Sequence, residues 1–491
     1  GIFSMAHASD GGGSIRIPAA CCGVFGFKPS RGRISYSPVA EPWSGMSTQH
    51  AITRTVRDSA LLLDCTAGNV PGDPYFCPPS EGTFLSASKT EPRQLSIGVH
   101  LESADGIHPD PEIAQRVNDM AVLLESLGHR VSFTDLDFNL TEDRRMLSES
   151  LNRFLAEQYP VEHRNKIAYA LPCHDPSKWE EMAELGVLGA LVPEDAGGFG
   201  GAGFDISVVF EAMGRVLCPE PVLGAAMAAR LLVAAGADCE ALIAGAVKYA
   251  VAVSEIEAPY DLDGIACSAS AKGEGYVLSG RKTAVYGGQA ADMFLVAARL
   301  DGALAVFEVA ADAAQVVGYP MMDGGGAAEL LLDETPARLL KAQAAAALED
   351  AVNAGIVALC AEAVGAMDVT LNTTVDYLKT RKQFGVPIAK FQVLQHRAVD
   401  MLTEIEQARS ITIKAASDLG TAQASRSASM AKNLIGRAAR LVAEEAIQMH
   451  GGIAMTWEYP TSHFGKRLIM LDAQLGDQDH HLSKVMANYA A

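Results

Sequence analysis

The chain has 491 residues, 49% of them apolar, and a formal charge of -20 at neutral pH. This length predicts two to four domains, and the apolar content is enough for large cores, which excludes a mainly disordered protein. The negative charge argues against a nucleic-acid-binding protein, because neutralising phosphates needs a basic face.

Cysteine usage and hydropathy bear on the compartment. The nine cysteines are scattered without a CxxC pair, so neither a zinc ribbon nor a disulfide framework is expected, and a reducing cytoplasm is favoured. No long apolar run lacks charges or Gly and Pro breaks, so no membrane span is expected. The chain opens at Gly1 in the middle of a motif, which indicates a fragment or a truncated reading frame.

Up to about residue 135 the chain is rich in Gly, Pro and Ser, with short apolar runs. Strands are predicted at 95–99 (LSIGV) and 130–133. Between them, residues 113–127 carry apolar side chains at helical spacing, and Gly128 provides a C-terminal stop. This part of the chain therefore predicts a small α/β arrangement.

The segment Asp10–Pro18 reads DGGGSIRIP. Consecutive glycines let backbone N–H groups converge on one point, as an oxyanion hole requires, and Ser14 would then be a nucleophile. A plain glycine-rich turn explains these residues equally well. The longer segment SDGGGSIRIPAACCGVFGFKPSRGRIS closely resembles the amidase signature family. The resemblance runs to about Val131 and implies an acyl-enzyme nucleophile at Ser14, with an oxyanion loop formed by Gly11, Gly12 and Gly13.

The same resemblance exposes a gap in the hydrolytic machinery. The family activates its nucleophile with a lysine and a second serine that lie upstream, whereas the first lysine here is Lys28. A serine hydroxyl without a base is a poor nucleophile at neutral pH. We therefore expect residues 1–134 to be a partial α/β amidase fragment without activity. Amide hydrolysis at Ser14 is the alternative function.

From residue 140 the pattern changes. Thr141 and the apolar spacing after it predict a capped amphipathic helix, and helices are predicted to continue to about residue 235 around a loop at 192–203. Residues 248–340 show short apolar runs separated by Gly and Asp turns, which predict strands. From residue 345 onwards, segments rich in Ala, Leu and Met predict long helices.

Two motifs lie in this last helical region. Arg381–Gly385 reads RKQFG and combines cations suited to a pyrophosphate with an aromatic surface at Phe384. Gln448–Gly452 reads QMHGG, and its paired glycines permit close backbone approach to a ligand. Taken separately, each is better explained as an ordinary helix end.

Together, LKTRKQFGVPIAKFQVLQHRAVDM and AIQMHGGIAMTWEYP resemble acyl-CoA dehydrogenases at that family's spacing. The resemblance implies a multidomain α+β protein in which a helical domain (136–245), a β middle domain (246–340) and a C-terminal four-helix bundle (341–491) follow the amidase fragment. It also implies FAD-dependent α,β-dehydrogenation of an acyl-CoA thioester. An electron-accepting flavoprotein and assembly into homo- or hetero-oligomers are expected as well.

In this family FAD lies between subunits. By resemblance, the candidate cofactor contacts are Arg381, Gln383, Phe384, Gln392, Gln448, Gly451, Gly452 and Ser254. Arg381 and Gln383 are expected to reach the FAD of a neighbouring subunit. Two departures are visible: the family's TEP flavin loop reads SEI from Ser254, and the tryptophan that often flanks the flavin falls on Ala284.

The catalytic base is the largest departure. Dehydrogenation requires a carboxylate that removes the α-proton while hydride leaves the β-carbon. The common position of the family's glutamate falls on Leu475 and the alternative position on Gly355, and neither residue can accept a proton.

The sequence around Leu475, DAQLGDQDHHL, is similar to the small-subunit type of acyl-CoA dehydrogenase that acts on pimeloyl-CoA or sterol side chains. Some of these enzymes are heteromers in which one subunit carries the glutamate. Asp477, or Asp479 beside it, is the candidate base, although a polar helix start explains both. No metal site is expected, because the adjacent His480 and His481 would point to different faces of a helix. A non-catalytic FAD-binding partner subunit is the third hypothesis.

Overall fold

A computed structural model describes residues 4–38, 45–71, 73, 77–101, 108–133 and 140–490. Contacts divide the chain into two compact units, Gly1–Asn139 and Leu140–Ala491.

The first unit is a small α/β body. Its strands are β1 (Met5–Asp10), β2 (Phe25–Gly26), β3 (Thr48–Thr53), β4 (Ser96–Val99) and β5 (Arg130–Phe133). Its helices are α1 (Arg16–Cys22), α2 (Val56–Thr66), α3 (Phe84–Ala87) and α4 (Pro111–Ser126). Strand β3 pairs antiparallel with both β1 and β2, whereas β4 and β5 pair in parallel.

The strand–helix–strand predicted between residues 95 and 133 is confirmed. Helix α4 begins where Asp110 accepts a hydrogen bond from the amide of Glu112 and Pro111 occupies the first turn. It ends before Gly128, whose φ of 91° is available to glycine at little cost. The crossover of one helix between two parallel strands is the usual α/β connection.

The second unit begins with helices. They are α5 (Glu142–Gln158), α6 (Val161–Ala168), α7 (Pro176–Glu184), α8 (Gly203–Val216), α9 (Val222–Ala235) and α10 (Glu240–Ile243). Thr141 caps α5, as predicted, by accepting a hydrogen bond from the amide of Arg144. Helices α8 and α9 are mostly buried and contribute much of the core.

A sheet follows these helices. Its strands are β6 (Tyr249–Ala252), β7 (Ser268–Lys272), β8 (Gly275–Tyr286), β9 (Met293–Leu300), β10 (Ala303–Ala310), β11 (Gln315–Pro320) and β12 (Gly326–Lys341). The order is β10-β12-β8-β7-β9-β6, and a further pairing of β10 with β9 closes the sheet on itself. Strands β9 and β10 are buried along most of their length.

Long helices complete the second unit. They are α11 (Ala345–Thr380), α12 (Gln392–Asp418), α13 (Ala424–His450), α14 (Pro460–Met470) and α15 (Gln478–Ala490), with the short strands β13 (Lys382–Gln383) and β14 (Val386–Pro387) between α11 and α12. Helix α11 packs against α8, α9, α12 and α13. By length and composition α11 alone among the described helices is apolar enough to cross a membrane, but 89% of its apolar window is buried within the protein, as in a core helix.

A buried ionic cluster joins the bundle to the sheet region. Arg467 of α14 donates two hydrogen bonds to Glu362 of α11, at 2.6 and 2.8 Å, and a third to Asp323 at 2.8 Å. Removing one member would leave an unpaired buried charge, which is strongly destabilising. The predicted α+β fold class, with helices, sheet and helices in that order, is confirmed.

Candidate functional site

The RKQFG and QMHGG segments lie at the same end of the helical bundle. Tyr377, one turn before Arg381, stacks on His450 at the end of α13, with ring centroids 4.6 Å apart and 27° between the planes. Tyr459 packs edge-on against the same imidazole at 5.2 Å. This aromatic contact joins the end of α11, where the RKQFG segment begins, to the end of α13, where the paired glycines follow.

The RKQFG segment forms a projecting hairpin. Lys382 and Gln383 pair with Val386 and Pro387, which leaves Phe384 and Gly385 as the two-residue turn. Both turn residues have left-handed backbones, with φ of 56° and 80°. Such turns favour glycine and are strained for phenylalanine.

Phe384 is the most exposed large apolar side chain among the described residues, with 90% of its surface accessible. Its only described ring contact is with Phe391, at 6.1 Å. A strained, exposed aromatic residue is better explained by contact with another molecule than by packing within this chain.

All of the predicted cofactor-contacting residues except Ser254 are exposed at this end of the bundle. They are Arg381, Gln383, Phe384, Gln392, Gln448, Gly451 and Gly452. A Cβ atom placed on either glycine would meet nothing within 4 Å, so the backbone there is open to a ligand. A guanidinium, three side-chain amides and open glycine backbone suit a pyrophosphate and a polar ring edge. The residues therefore fit FAD, but on a surface rather than in a pocket of this chain.

Ser254 lies elsewhere, beside the sheet. The next residue, Glu255, is buried and accepts hydrogen bonds from Lys282 Nζ at 2.7 Å and from the amides of Ala266 and Cys267. Burial tends to raise the Glu255 pKa, but these hydrogen bonds outweigh it and the pKa is lowered. Glu255 is thus an anchor that fixes the Ser254 loop against β8.

Gly355 and Leu475, the two positions expected to carry the family's catalytic glutamate, face each other. A Cβ atom placed on Gly355 of α11 would lie 2.7 Å from Leu475 Cδ1 and 3.0 Å from Met227 Sδ. The Leu475 side chain is 8% exposed. Leucine, methionine and the bare glycine backbone therefore fill the place where a carboxylate was expected, and none of them exchanges a proton.

The space beside Leu475 is very small. Leu475, Ser254 and Ala284, with Tyr286 and Met227, line a cavity of about 10 Å³. That is room for about one water molecule. A flavin ring or a thioester does not fit into this space as it stands.

Two buried polar side chains hold the turn that carries Leu475. Lys432 is fully buried and its Nζ donates to the carbonyl oxygens of Asp472 and Gly476, at 2.8 and 2.7 Å. His481 Nε2 lies 3.0 Å from the carbonyl oxygen of Leu475, and Nδ1 lies 3.2 Å from Ser429 Oγ. Burial lowers the pKa of Lys432 to about 8 and that of His481 to about 3.

Sequence reasoning did not single out Lys432, and it considered His481 only as a metal ligand. The available signal was a single lysine inside the apolar stretch SASMAKNLIG, where a charged residue must find buried partners.

Asp477 caps the last helix. Its Oδ1 accepts a hydrogen bond of 2.8 Å from the amide of His480, and its carbonyl accepts one from the amide of His481. Asp477 is half-buried and Asp479 is exposed. The assignment of Asp477 as the catalytic base stays a prediction. The other explanation given for this residue, that it is part of a polar helix start, also stays open. Within the described ranges, no group of three His, Cys, Asp or Glu residues could hold a metal ion.

A larger cavity of about 600 Å³ opens beside the start of α11 and α15. Tyr260, Asn353 and His480 lie in its wall. Its charged lining residues are Asp261, Asp263, Glu349 and Lys484. Three carboxylates and one ammonium group give an acidic lining, which repels phosphate groups.

In the first unit, the glycine-rich loop is organised by Asp10. This fully buried carboxylate accepts hydrogen bonds from the amides of Gly13, Ile15 and Arg16 and from the Arg16 guanidinium, which holds its pKa well below the usual range. One of the predicted oxyanion donors, the Gly13 amide, is therefore already engaged at 2.8 Å.

Ser14 is exposed. Lys28, the first lysine of the chain, donates to the carbonyl oxygens of Gly11 and Met46, at 2.9 and 2.7 Å. No hydrogen bond from Ser14 Oγ is described. Ser14 therefore lies on the predicted loop, and no basic side chain among the described residues is hydrogen-bonded to its hydroxyl.

Comparison with known families separates the two units further. Residues 141–239 match the N-terminal domain of acyl-CoA dehydrogenases, and residues 345–489 match the C-terminal domain. The second unit belongs to the acyl-CoA dehydrogenase family. It is accordingly an oxidoreductase of the type that acts on acyl-CoA.

Several relatives share this part of the chain. The acyl-CoA dehydrogenase IpdE2 of Mycobacterium tuberculosis is 29% identical over 331 residues, which are 66% of this chain and 91% of that protein. The steroid acyl-CoA dehydrogenase Tcur3481-Tcur3483 has a TM-score of 0.66 at 27% identity and covers 71% of this chain and 98% of its own. The ChsE4-ChsE5 complex of M. tuberculosis has a TM-score of 0.67 at 23% identity, covering 72% and 99%, and shares the fold.

Residues 1–184 match the amidase family. This match runs past the predicted limit at residue 134 and overlaps the start of the dehydrogenase match. An amidase-family protein of Synechocystis sp. is 40% identical over 131 residues, which are 27% of this chain. The chain spans only about a quarter of that relative, 26% of its length.

Proposed function

We propose that this chain is one subunit of a heteromeric, FAD-dependent acyl-CoA dehydrogenase and relies on a partner subunit for the catalytic glutamate. The observation that carries the proposal is the packing of Leu475 against Gly355, which fills both candidate base positions with groups that cannot take a proton. General-base catalysis typically contributes about 10²–10⁴-fold in rate, so the chain alone lacks a major part of the machinery.

The surroundings of Leu475 support the same proposal. The enclosed space there is about 10 Å³, and the larger cavity near the start of α11 is lined by three carboxylates. The phosphates of CoA favour cationic surroundings. Neither of these two cavities suits a bound acyl-CoA thioester in its present form.

In the proposed enzyme, this chain contributes the surface at the end of its helical bundle to the FAD site. Arg381 and Gln383 present side-chain donors to solvent beside the exposed Phe384, and Gly451 and Gly452 leave open space for a ligand. In the proposed assembly Arg381 would help to hold the FAD of the neighbouring subunit, and Phe384 would pack into that subunit.

FAD, when bound, supplies the hydride acceptor for oxidation of the α,β-bond of the thioester. Residues of this chain bind and orient it: the Arg381 guanidinium offers two parallel donors, and the amides of Gln383 and Gln448 offer further ones. The α-proton passes to the partner's carboxylate. We also propose that an electron-accepting flavoprotein would take the electrons from the complex.

The names of two structural relatives support a two-component enzyme. Both the ChsE4-ChsE5 complex and Tcur3481-Tcur3483 are designated by pairs of polypeptides. Tcur3481-Tcur3483 is a steroid acyl-CoA dehydrogenase, so a steroid-derived acyl group is the substrate class that we propose for this chain. The free cysteines are consistent with the cytoplasm as the compartment that we propose.

The alternative is a homo-oligomer in which Asp477 is the base. Its half-buried position within the turn after Leu475 favours this candidate over the exposed Asp479. Against it, one Asp477 oxygen already caps the last helix. The heteromer therefore has the stronger support.

Flavin retention tests the surface assignment. The tagged full-length chain is purified from cells that express it naturally, its partners are identified by mass spectrometry, and flavin is measured by absorbance. Arg381→Ala should lower FAD affinity roughly ten- to a hundredfold, as expected for loss of a charge-assisted hydrogen bond. Lys379→Ala removes an exposed cation from the same helix end and serves as the control. Undiminished flavin in Arg381→Ala, or flavin loss of equal size in the control, would contradict the assignment.

A further inference from the structure

The segment Gly451–Trp457 is exposed for most of its length, yet it carries the glycines assigned to FAD. Met455 is 74% exposed and Trp457 is 51% exposed. The segment joins α13 to α14 as a short helical turn, and only Ala454 in it is buried. Its position must therefore be set by contacts at its two ends.

At the first end, His450 is held between Tyr377 and Tyr459, as described above. At the other end, the Trp457 indole lies in a box of three side chains. Its ring centroid is 4.9 Å from that of Tyr169 and 4.8 Å from that of His463, and Lys466 Nζ lies 5.0 Å from it over the ring face. Aromatic and cation–π contacts of this kind each stabilise modestly.

His463 is the polar centre of this box and is 1% exposed. Its Nε2 lies 2.8 Å from the carbonyl oxygen of Trp457, and its Nδ1 lies 3.0 Å from the hydroxyl of Tyr169. The side-chain amide of Asn165 is 2.9 Å from Nε2. A carbonyl oxygen only accepts and an amide nitrogen only donates, so Nε2 bonds either Trp457 or Asn165. With Nε2–H donating at the shorter distance to Trp457, Nδ1 accepts from the Tyr169 hydroxyl.

One neutral imidazole thus bonds two separate elements. It ties the backbone of the exposed segment to Tyr169, which follows α6 in the N-terminal helical domain. A flexible side chain would lose more entropy in making the same two bonds, whereas a buried ring keeps both acceptor and donor in fixed directions.

We infer that His463 is a positioning residue that fixes the carbonyl of Trp457 and thereby holds Gly451 and Gly452 in place for FAD. The inference rests on the proposed function for the identity of the ligand. The ordering of the segment by His463 is independent of the proposed function, because it is a property of this chain alone. His463 touches no reacting atom and acts only through the segment.

Three variants of the full-length chain separate positioning from folding. His463→Ala removes both bonds, His463→Gln keeps an amide donor within reach of the Trp457 carbonyl, and Tyr169→Phe removes only the second bond. His163→Ala, a change of the same kind in α6, is the matched control. The readouts are hydrogen exchange of residues 451–457 and the dissociation constant for FAD.

His463→Ala should speed exchange in 451–457 by about tenfold or more and weaken FAD binding by a similar factor, with exchange in α11 unchanged. His463→Gln should restore most of the slow exchange and most of the FAD affinity. A loss of fold alone would not be rescued by glutamine. Unchanged exchange in His463→Ala, or no recovery in His463→Gln, would overturn the inference. Faster exchange with unchanged FAD affinity would also overturn it. If the wild-type chain and its complex bind no FAD, the proposed function fails, while the exchange comparison still decides the role of His463 in ordering the segment.

Discussion

The side chain of Leu475 packs directly against Gly355, and it fits there only because residue 355 has no side chain. The Leu475 methyl carbon Cδ1 occupies the space that a side chain on Gly355 would need, at 2.7 Å from an ideal Cβ position. Leu475 also adopts a left-handed backbone, with φ of 56°, in the turn that Lys432 holds. The contact therefore explains why residue 355 is a glycine in the middle of a long helix.

Gly355→Ala is expected to destabilise the second unit. In an exposed helix interior, replacing glycine with alanine stabilises by about 1 kcal/mol. Here the new methyl group meets Leu475 and Met227, and overpacking of this kind costs roughly 1–3 kcal/mol. Urea unfolding should therefore show a net loss of stability.

A double-mutant cycle isolates the contact. Combined with Leu475→Ala, the Gly355→Ala change should cost less than it does in the unchanged protein, because the Leu475 methyl groups are gone and only Met227 stays in contact. Gly452→Ala, where a Cβ atom would meet nothing within 4 Å, is the control for a glycine replacement. If Gly355→Ala stabilises the otherwise unchanged protein, the two side chains are not in the contact described.

Much of the fold followed from local signals. The cap at Thr141, the stop at Gly128 and the strand at 130–133 lie where the sequence predicted them, because each depends on residues within a few positions. The order of helices, sheet and helices was predictable for the same reason.

The site was only partly predictable. The RKQFG and QMHGG motifs were recognised from sequence, but the Tyr377–His450 contact that brings them together joins residues of two different helices. The roles of Lys432 and His463 were missed because a backbone carbonyl can belong to any residue and because Tyr169, the other partner of His463, lies in a different element. The burial of His481 likewise depends on tertiary packing.

Acid should destabilise the second unit through His481. Burial holds its pKa at about 3, against about 6.5 when unfolded, so the unfolded chain binds more protons at low pH. The contribution of neutral His481 is complete above pH 6.5 and is lost progressively as the pH falls towards 3. It amounts to about 5 kcal/mol. His481→Gln, which keeps a donor for the Leu475 carbonyl but does not titrate, should flatten the fall.

The measurement is the free energy of unfolding in urea over that pH range. His396→Gln, at an exposed histidine, is the comparison variant. An equal pH dependence for the His481→Gln variant and the unchanged protein would show that His481 is not buried in its neutral form.

The first unit should hydrolyse no amide. Ser14 is exposed on its loop, one oxyanion donor is engaged by Asp10, and the Lys28 ammonium group is bound to carbonyl oxygens. Without a base the Ser14 hydroxyl is a poor nucleophile. The purified chain should therefore show no amidase activity and no labelling by a fluorophosphonate, and Ser14→Ala should change neither. Amide hydrolysis that disappears in Ser14→Ala would revive the hydrolase function.

The most direct test of the partner model is turnover by the purified chain alone, loaded with FAD, against a panel of acyl-CoA thioesters with an artificial electron acceptor. Because Leu475 and Gly355 supply no base, turnover should be lower by about 10²–10⁴-fold than in a complex with a partner subunit that carries the glutamate. Co-expression with the partner found in the native complex should restore it. Rapid turnover by the lone chain, abolished by Asp477→Asn, would contradict the partner model and make Asp477 the base.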